Sequence, residues 1–168
     1  SISKAGIYLG RSGPSSISSP NGCAMRTDAA VYFAGRWRLT RRIGDRRLGR
    51  VGRMTGDAAV TPDGAGGFVF AETGRLVFGD HAGPAERLYR LRDCVGPQAT
   101  LTDDADIPLA RFDLTAPRTD FTHRCPPDVY LGRFTPRCDD AWRLVWRVTG
   151  PRKDLVIATQ YRRLGEEG

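Results

Sequence analysis

Lysine is almost missing from this 168-residue chain: among 26 basic residues only Lys4 and Lys153 are lysines, and the rest are arginine. The formal charge of +7 is spread along the whole chain and interleaved with 19 acids, so it reads as arginine-rich composition and not as a basic nucleic-acid arm. There is no zinc-finger spacing, no basic helix and no aromatic-basic ribonucleoprotein motif, and specific nucleic-acid binding is not expected. No run of about 18 apolar residues offers a membrane span, and no membrane partner is expected. The four cysteines, Cys23, Cys94, Cys125 and Cys138, form no Cys-x-x-Cys pair, which removes the zinc-ribbon and thioredoxin-like readings. The first residues carry no basic segment followed by an apolar stretch, so no secretory signal is recognised, and a cytoplasmic protein with reduced thiols is the expectation. Also missing is a 3.6-residue apolar period over three turns, which leaves an all-β chain.

What is there divides by composition. Residues 1–27, rich in Ser, Gly and Pro, read as a flexible N-terminal arm, and residues 28–165 as a single domain. Thr27 or Asp28 can cap a short helical turn through Phe33, after which Gly35 releases the chain into a strand from Trp37 to Ile43. Gly44-Asp45, Pro62-Asp63-Gly64, Gly74, Gly79 to Pro84 and Gly96-Pro97 then punctuate a succession of short strands. Residues 93–107 are the least legible part. The clearest strands come last, at Asp128–Pro136, Ala141–Thr149 and Leu155–Arg163, rich in β-formers. Eight to ten strands joined by tight turns predict an antiparallel meander closed into a lipocalin-like or calycin-like β-barrel with a short N-terminal helix; a two-sheet sandwich is the alternative.

Several polar residues share the alternation phase of large apolar ones. Asp128 and Tyr130, and then Thr159, Tyr161 and Arg163, fall on the predicted inner face beside Trp142, Leu144 and Trp146. Glu72 shares a phase with Phe68 and Phe70, and Arg87 and Tyr89 do so on a neighbouring strand, which suggests a Glu72–Arg87 pair. Buried groups of this kind are either paired with one another or used on a ligand.

The motif set is distinctive. Phe33-x-Gly35-x-Trp37, Glu72-x-Gly74, Arg87-x-Tyr89, His123-x-Cys125-x-x-Asp128-x-Tyr130, Trp146-x-Val148-x-Gly150-Pro151-x-Lys153-Asp154 and Thr159-x-Tyr161-x-Arg163 together resemble an uncharacterised family of calycin-like β-barrel domains of bacteria and fungi, over about residues 33–163. The resemblance implies that Trp37 packs across an arginine of the last strand, Arg162 or Arg163, at the closed end of the barrel. It implies no activity.

The functional expectation is a barrel interior that binds a small, partly apolar molecule with a polar or anionic end, through Arg41, Glu72, Arg87, Tyr89, His123, Asp128, Tyr130, Tyr161 and Arg163. Two other classes compete: an isomerase-type or cyclase-type enzyme in which an interior Asp or Glu and a Tyr move a proton, and a structural or regulatory module whose polar core is filled. No cofactor or metal is expected, with zinc or haem through His123 as alternatives; His123, Cys125 and Asp128 offer N, S and O donors, and His81 is a weaker haem candidate. Gly150 to Asp154 reads as a hairpin at the barrel mouth. Oligomeric state stays open, a dimer included.

Overall fold

The computed structural model describes residues 27–137 and 140–165. The expected arm at 1–27 lies outside them except for Thr27.

One short helix, α1 (Ala29–Phe33), opens the fold, with Asp28 as its N-cap accepting from the Val31 amide at 3.2 Å. Ten antiparallel strands follow: β1 (Gly35–Asp45), β2 (Arg50–Pro62), β3 (Phe68–Phe78), β4 (His81–Val95), β5 (Gln98–Asp103), β6 (Pro108–Asp113), β7 (Thr119–Cys125), β8 (Asp128–Pro136), β9 (Ala141–Gly150) and β10 (Lys153–Arg163). They form one sheet in the order β6-β5-β4-β3-β2-β1-β10-β9-β8-β7, a meander in which the first strand pairs with the last. The two end strands approach without a ladder: the Asp113 amide donates to Thr119 Oγ1 at 3.2 Å, and the Phe112 and Phe121 rings stand 5.9 Å apart. The result is a nearly closed all-β barrel, as its alternating pattern predicts.

One end is sealed. Helix α1 inserts Tyr32 and Phe33 among Trp37, Phe112, Phe134 and Trp142, whose rings pack at centroid distances between 4.3 and 6.4 Å. Its start is tied to the sheet by the Ala29 amide on the Gly96 carbonyl (2.7 Å), and its end by Tyr32 OH on the Ala141 carbonyl (2.8 Å). Arg163 lies over Trp37 with its guanidinium carbon 4.2 Å from the ring centroid, and it donates to the carbonyls of Ala34 and Tyr32. Arg163, not Arg162, is therefore the arginine that faces the opening tryptophan.

Two punctuation marks in the sequence turn out to lie inside strands. Gly74 does not end a strand: β3 runs through it, and it faces Gly56 across the ladder. A Cβ on Gly56 would come 2.0 Å from the Thr73 carbonyl oxygen and 2.6 Å from Gly74 Cα, so the pair marks a close approach of two backbones. Pro84 likewise sits within β4, in the stretch that β5 does not reach, since the β4–β5 ladder starts at Tyr89. A missing amide is tolerated on such an edge. The obscure segment at 93–107 contains an irregular register between Arg92 and Val95, Asp93 and Asp106 at positive φ, and the whole of β5.

Candidate functional site

Opposite the sealed end the barrel opens into a cavity of about 400 Å³. Its apolar wall comes from Ile43 on β1, Leu109 on β6, Leu144, Trp146 and Val148 on β9, and Leu155 and Ile157 on β10. Strand alternation aims each of these inward. Its polar groups are Arg41, Arg87, Tyr89, Asp103, His123, Cys125, Tyr130, Thr159 and Tyr161. A volume in this range with apolar walls and a few convergent polar groups is typical of small-molecule pockets.

The floor is a satisfied polar knot. Glu72 is only 1% exposed, yet both its carboxylate oxygens are engaged: Arg41 Nη2 donates to Oε1 at 3.0 Å and Oε2 at 2.8 Å, and Tyr161 OH donates a very short hydrogen bond to Oε1. Arg41 Nε also donates to Thr159 Oγ1 at 2.8 Å. Burial works against the charge of Arg41, but Tyr161 and Glu72 outweigh it and hold the guanidinium protonated above its ordinary pKa. Burial, then the nearby Glu72 carboxylate, pushes the Tyr161 phenol well above 10.0, so it stays a hydrogen-bond donor. Tyr161 also stacks on Trp142 at 3.8 Å, which fixes its ring. Arg41 and Glu72 stand four register positions apart, and the inward-facing row midway between them carries Gly56 and Gly74. The missing side chains leave the gap in which the two charges meet.

This corrects the expected pairing. Glu72 lies opposite Arg87 in the β3–β4 register, but its ion-pair partner is Arg41. Arg87 turns instead over the Tyr89 ring, 5.0 Å from its centroid, and among the described residues no carboxylate forms an ion pair with it. Burial, then Glu72, raises the Tyr89 pKa, with Arg87 acting in the opposite direction. Arg87, solvent-exposed and hydrogen-bonded to Tyr89, is thus a cation on the cavity lining without a carboxylate partner among the described residues.

Of the nine residues singled out in the sequence, Arg41, Arg87, Tyr89, His123, Tyr130 and Tyr161 line the cavity. Glu72 lies beneath it, holding Arg41 and Tyr161. Asp128 does not join them: its Oδ2 takes Lys153 Nζ at 2.8 Å, a pair at the β7–β8 and β9–β10 hairpins. Arg163 stands at the opposite end of the barrel on Trp37, so the expected neighbourhood of Asp128, Tyr130, Tyr161 and Arg163 is not one site. Asp103 and Leu109 were missed because they sit in or beside the obscure segment; the cavity-facing aliphatics of β9 and β10 read only as core.

His123 packs against Tyr130 with ring centroids 5.9 Å apart, and Cys125 is exposed at the rim. Among the described residues no group of three or more His, Cys, Asp or Glu side chains converges to hold a metal ion. Asp128, the expected third donor, is engaged by Lys153. Cys94 and Cys125 are free thiols; Cys23 and Cys138 lie outside the described residues.

The architecture and its cavity define a lipocalin-like β-barrel with a polar-floored interior. Residues 33–163 match the profile of the family of unknown function DUF6314, and the chain belongs to that family. No curated protein matches it in sequence. Among solved structures it is similar to the S-type phycobiliprotein lyase of Guillardia theta, with 8% identity over 81% of this chain and 90% of that one and a TM-score of 0.54. It is also similar to a de novo designed fluorescence-activating β-barrel, with 16% identity over 82% of this chain and 98% of that one and a TM-score of 0.43. The likeness to the lyase lies in the fold.

Proposed function

We propose that the barrel binds a small, partly apolar molecule carrying one anionic or strongly polar end. The observation that carries this reading is the cavity of about 400 Å³, whose aliphatic and indole walls meet one cation, Arg87, that forms no ion pair with a carboxylate among the described residues. The apolar part of the ligand packs on Ile43, Leu144, Trp146 and Ile157, and the anionic end meets Arg87, with Tyr89, His123 and Tyr130 as further hydrogen-bonding groups around it. Glu72 serves by holding Arg41 and Tyr161 in place. Its carboxylate, occupied on both oxygens and closed to the cavity by those partners, does not favour the proton-transfer alternative.

Fluorescence titration with anilinonaphthalene sulfonate, an aromatic anion of suitable size, tests the reading. Saturable binding at one site per chain is expected, with its loss in Ile157→Trp, which fills the cavity from the wall. Binding that never saturates, or that is unchanged by filling the cavity, contradicts it.

A further inference from the structure

We propose that the β1–β2 hairpin docks the mouth of the barrel onto an anionic lipid surface. Strand β1 runs from the sealed end to the open one, so the turn at residues 46–49 stands directly beyond Ile43 of the cavity wall. Between Arg42 and Arg53 the chain carries Arg42, Arg46, Arg47, Arg50 and Arg53, with Asp45 the sole acid. That acid is built into the turn, its Oδ1 accepting from the amides of Arg47 and Leu48 at 3.0 Å each. All five arginines are exposed, and none of them forms an ion pair with a carboxylate among the described residues. Arg42 and Arg53 are directly opposite each other in the ladder, an arrangement of like charges that disfavours the free protein and that an external anion relieves.

The same tip displays aliphatic side chains. Leu48 is 60% exposed and Val51 80%, and Val51 faces Gly44 across the ladder, so no cross-strand side chain covers it. Aliphatic groups ringed by arginines match the boundary of a bilayer, where the former enter the acyl region and the latter meet phosphates. Residues 42–53 include no aromatic side chain for stacking bases, which disfavours single-stranded nucleic acid. Asp128 and Asp154 at this end are already neutralised, by Lys153 and Arg147, and Asp80, next to the Gly79 that touches Arg50, is the exposed acid beside the hairpin without an ion pair among the described residues. The absence of a long apolar run, from which no membrane partner was expected, bears on spanning segments and not on a hairpin that rests on the surface. A partly apolar ligand would reach the cavity from the lipid side, yet the docking itself does not depend on any cavity ligand.

The test is sedimentation of the full chain with vesicles of phosphatidylcholine containing phosphatidylglycerol, beside vesicles of phosphatidylcholine alone and a duplex DNA control. Binding to the anionic vesicles is expected, weakening about fivefold for each arginine removed in Arg47→Gln and Arg50→Gln, and falling also in the Leu48→Ser, Val51→Ser double variant. Anilinonaphthalene sulfonate binding in solution should be the same in all of them, which separates failure of docking from failure of the cavity. Failure to sediment with anionic vesicles, equal affinity for neutral ones, indifference to the arginine and the Leu48→Ser, Val51→Ser substitutions, or preference for DNA would each overturn the proposal.

Discussion

The barrel contains two arginine–aromatic pairs, one at each end, and they differ in what else the arginine touches. At the sealed end Arg163 lies 4.2 Å from the Trp37 centroid and donates to two backbone carbonyls, so its charge is absorbed by the fold. At the open end Arg87 lies 5.0 Å from the Tyr89 centroid, and no carboxylate among the described residues forms an ion pair with it. The chemistry of the pair is the same; satisfaction decides its role. A cation whose charge is taken up by two backbone carbonyls stabilises structure, and one held only by a phenol beside an apolar cavity is left to meet an anion.

The sharpest way to break this contrast is to remove each end in turn. Trp37→Ala deletes a fully buried indole and should cost about 3–5 kcal/mol in urea unfolding, whereas Arg87→Ala should stay within about 0.5 kcal/mol. Comparable losses would mean that both ends are structural. Next in size is Glu72→Gln, which leaves Arg41 without its buried counter-charge and should destabilise by about 3 kcal/mol. A stable variant would show that the knot under the cavity is dispensable.

Tyr161→Phe has a smaller effect, about 1–2 kcal/mol from one hydrogen bond to a charged acceptor. It also carries a pH signature. The folded Tyr161 pKa is raised, so above the ordinary value of 10.0 the unfolded chain releases its proton while the folded chain keeps it. The contribution is fully present below about pH 10 and is lost as pH rises through the folded pKa. Stability should therefore fall more steeply above pH 10 in the parent than in Tyr161→Phe, as followed by urea midpoints. Parallel slopes would contradict the assignment.

Alternation made much of this legible in the sequence. Trp37, Arg41, Tyr89, Tyr130 and Tyr161 all point inward as their phase requires, and the final strands have close to their expected bounds. Phase gives the face of a strand and not the height along the barrel. Thr159, Tyr161 and Arg163 share one face of β10, yet Thr159 and Tyr161 lie in the cavity and Arg163 at the far end. Partner choice was equally hidden: Glu72 faces Arg87 in register but reaches Arg41, because the glycines at 56 and 74 open a diagonal path. Gly74 and Pro84 were misread as breaks, since a close backbone approach and an unpaired edge use the same residues that turns do. The arginines of the β1–β2 hairpin passed for composition until the fold placed them beside exposed Leu48 and Val51 at the mouth.

The central claim, that Arg87 is the cation that selects an anionic ligand, is most directly tested by titrating two probes that differ by one group. Anilinonaphthalene sulfonate and the uncharged phenylnaphthylamine share an aromatic body. The parent protein should prefer the sulfonate by about tenfold, as a charge-assisted contact to the guanidinium implies, and Arg87→Ala should bind the two alike. Equal affinity for both probes in the parent, or a preference that survives in Arg87→Ala, would contradict the account.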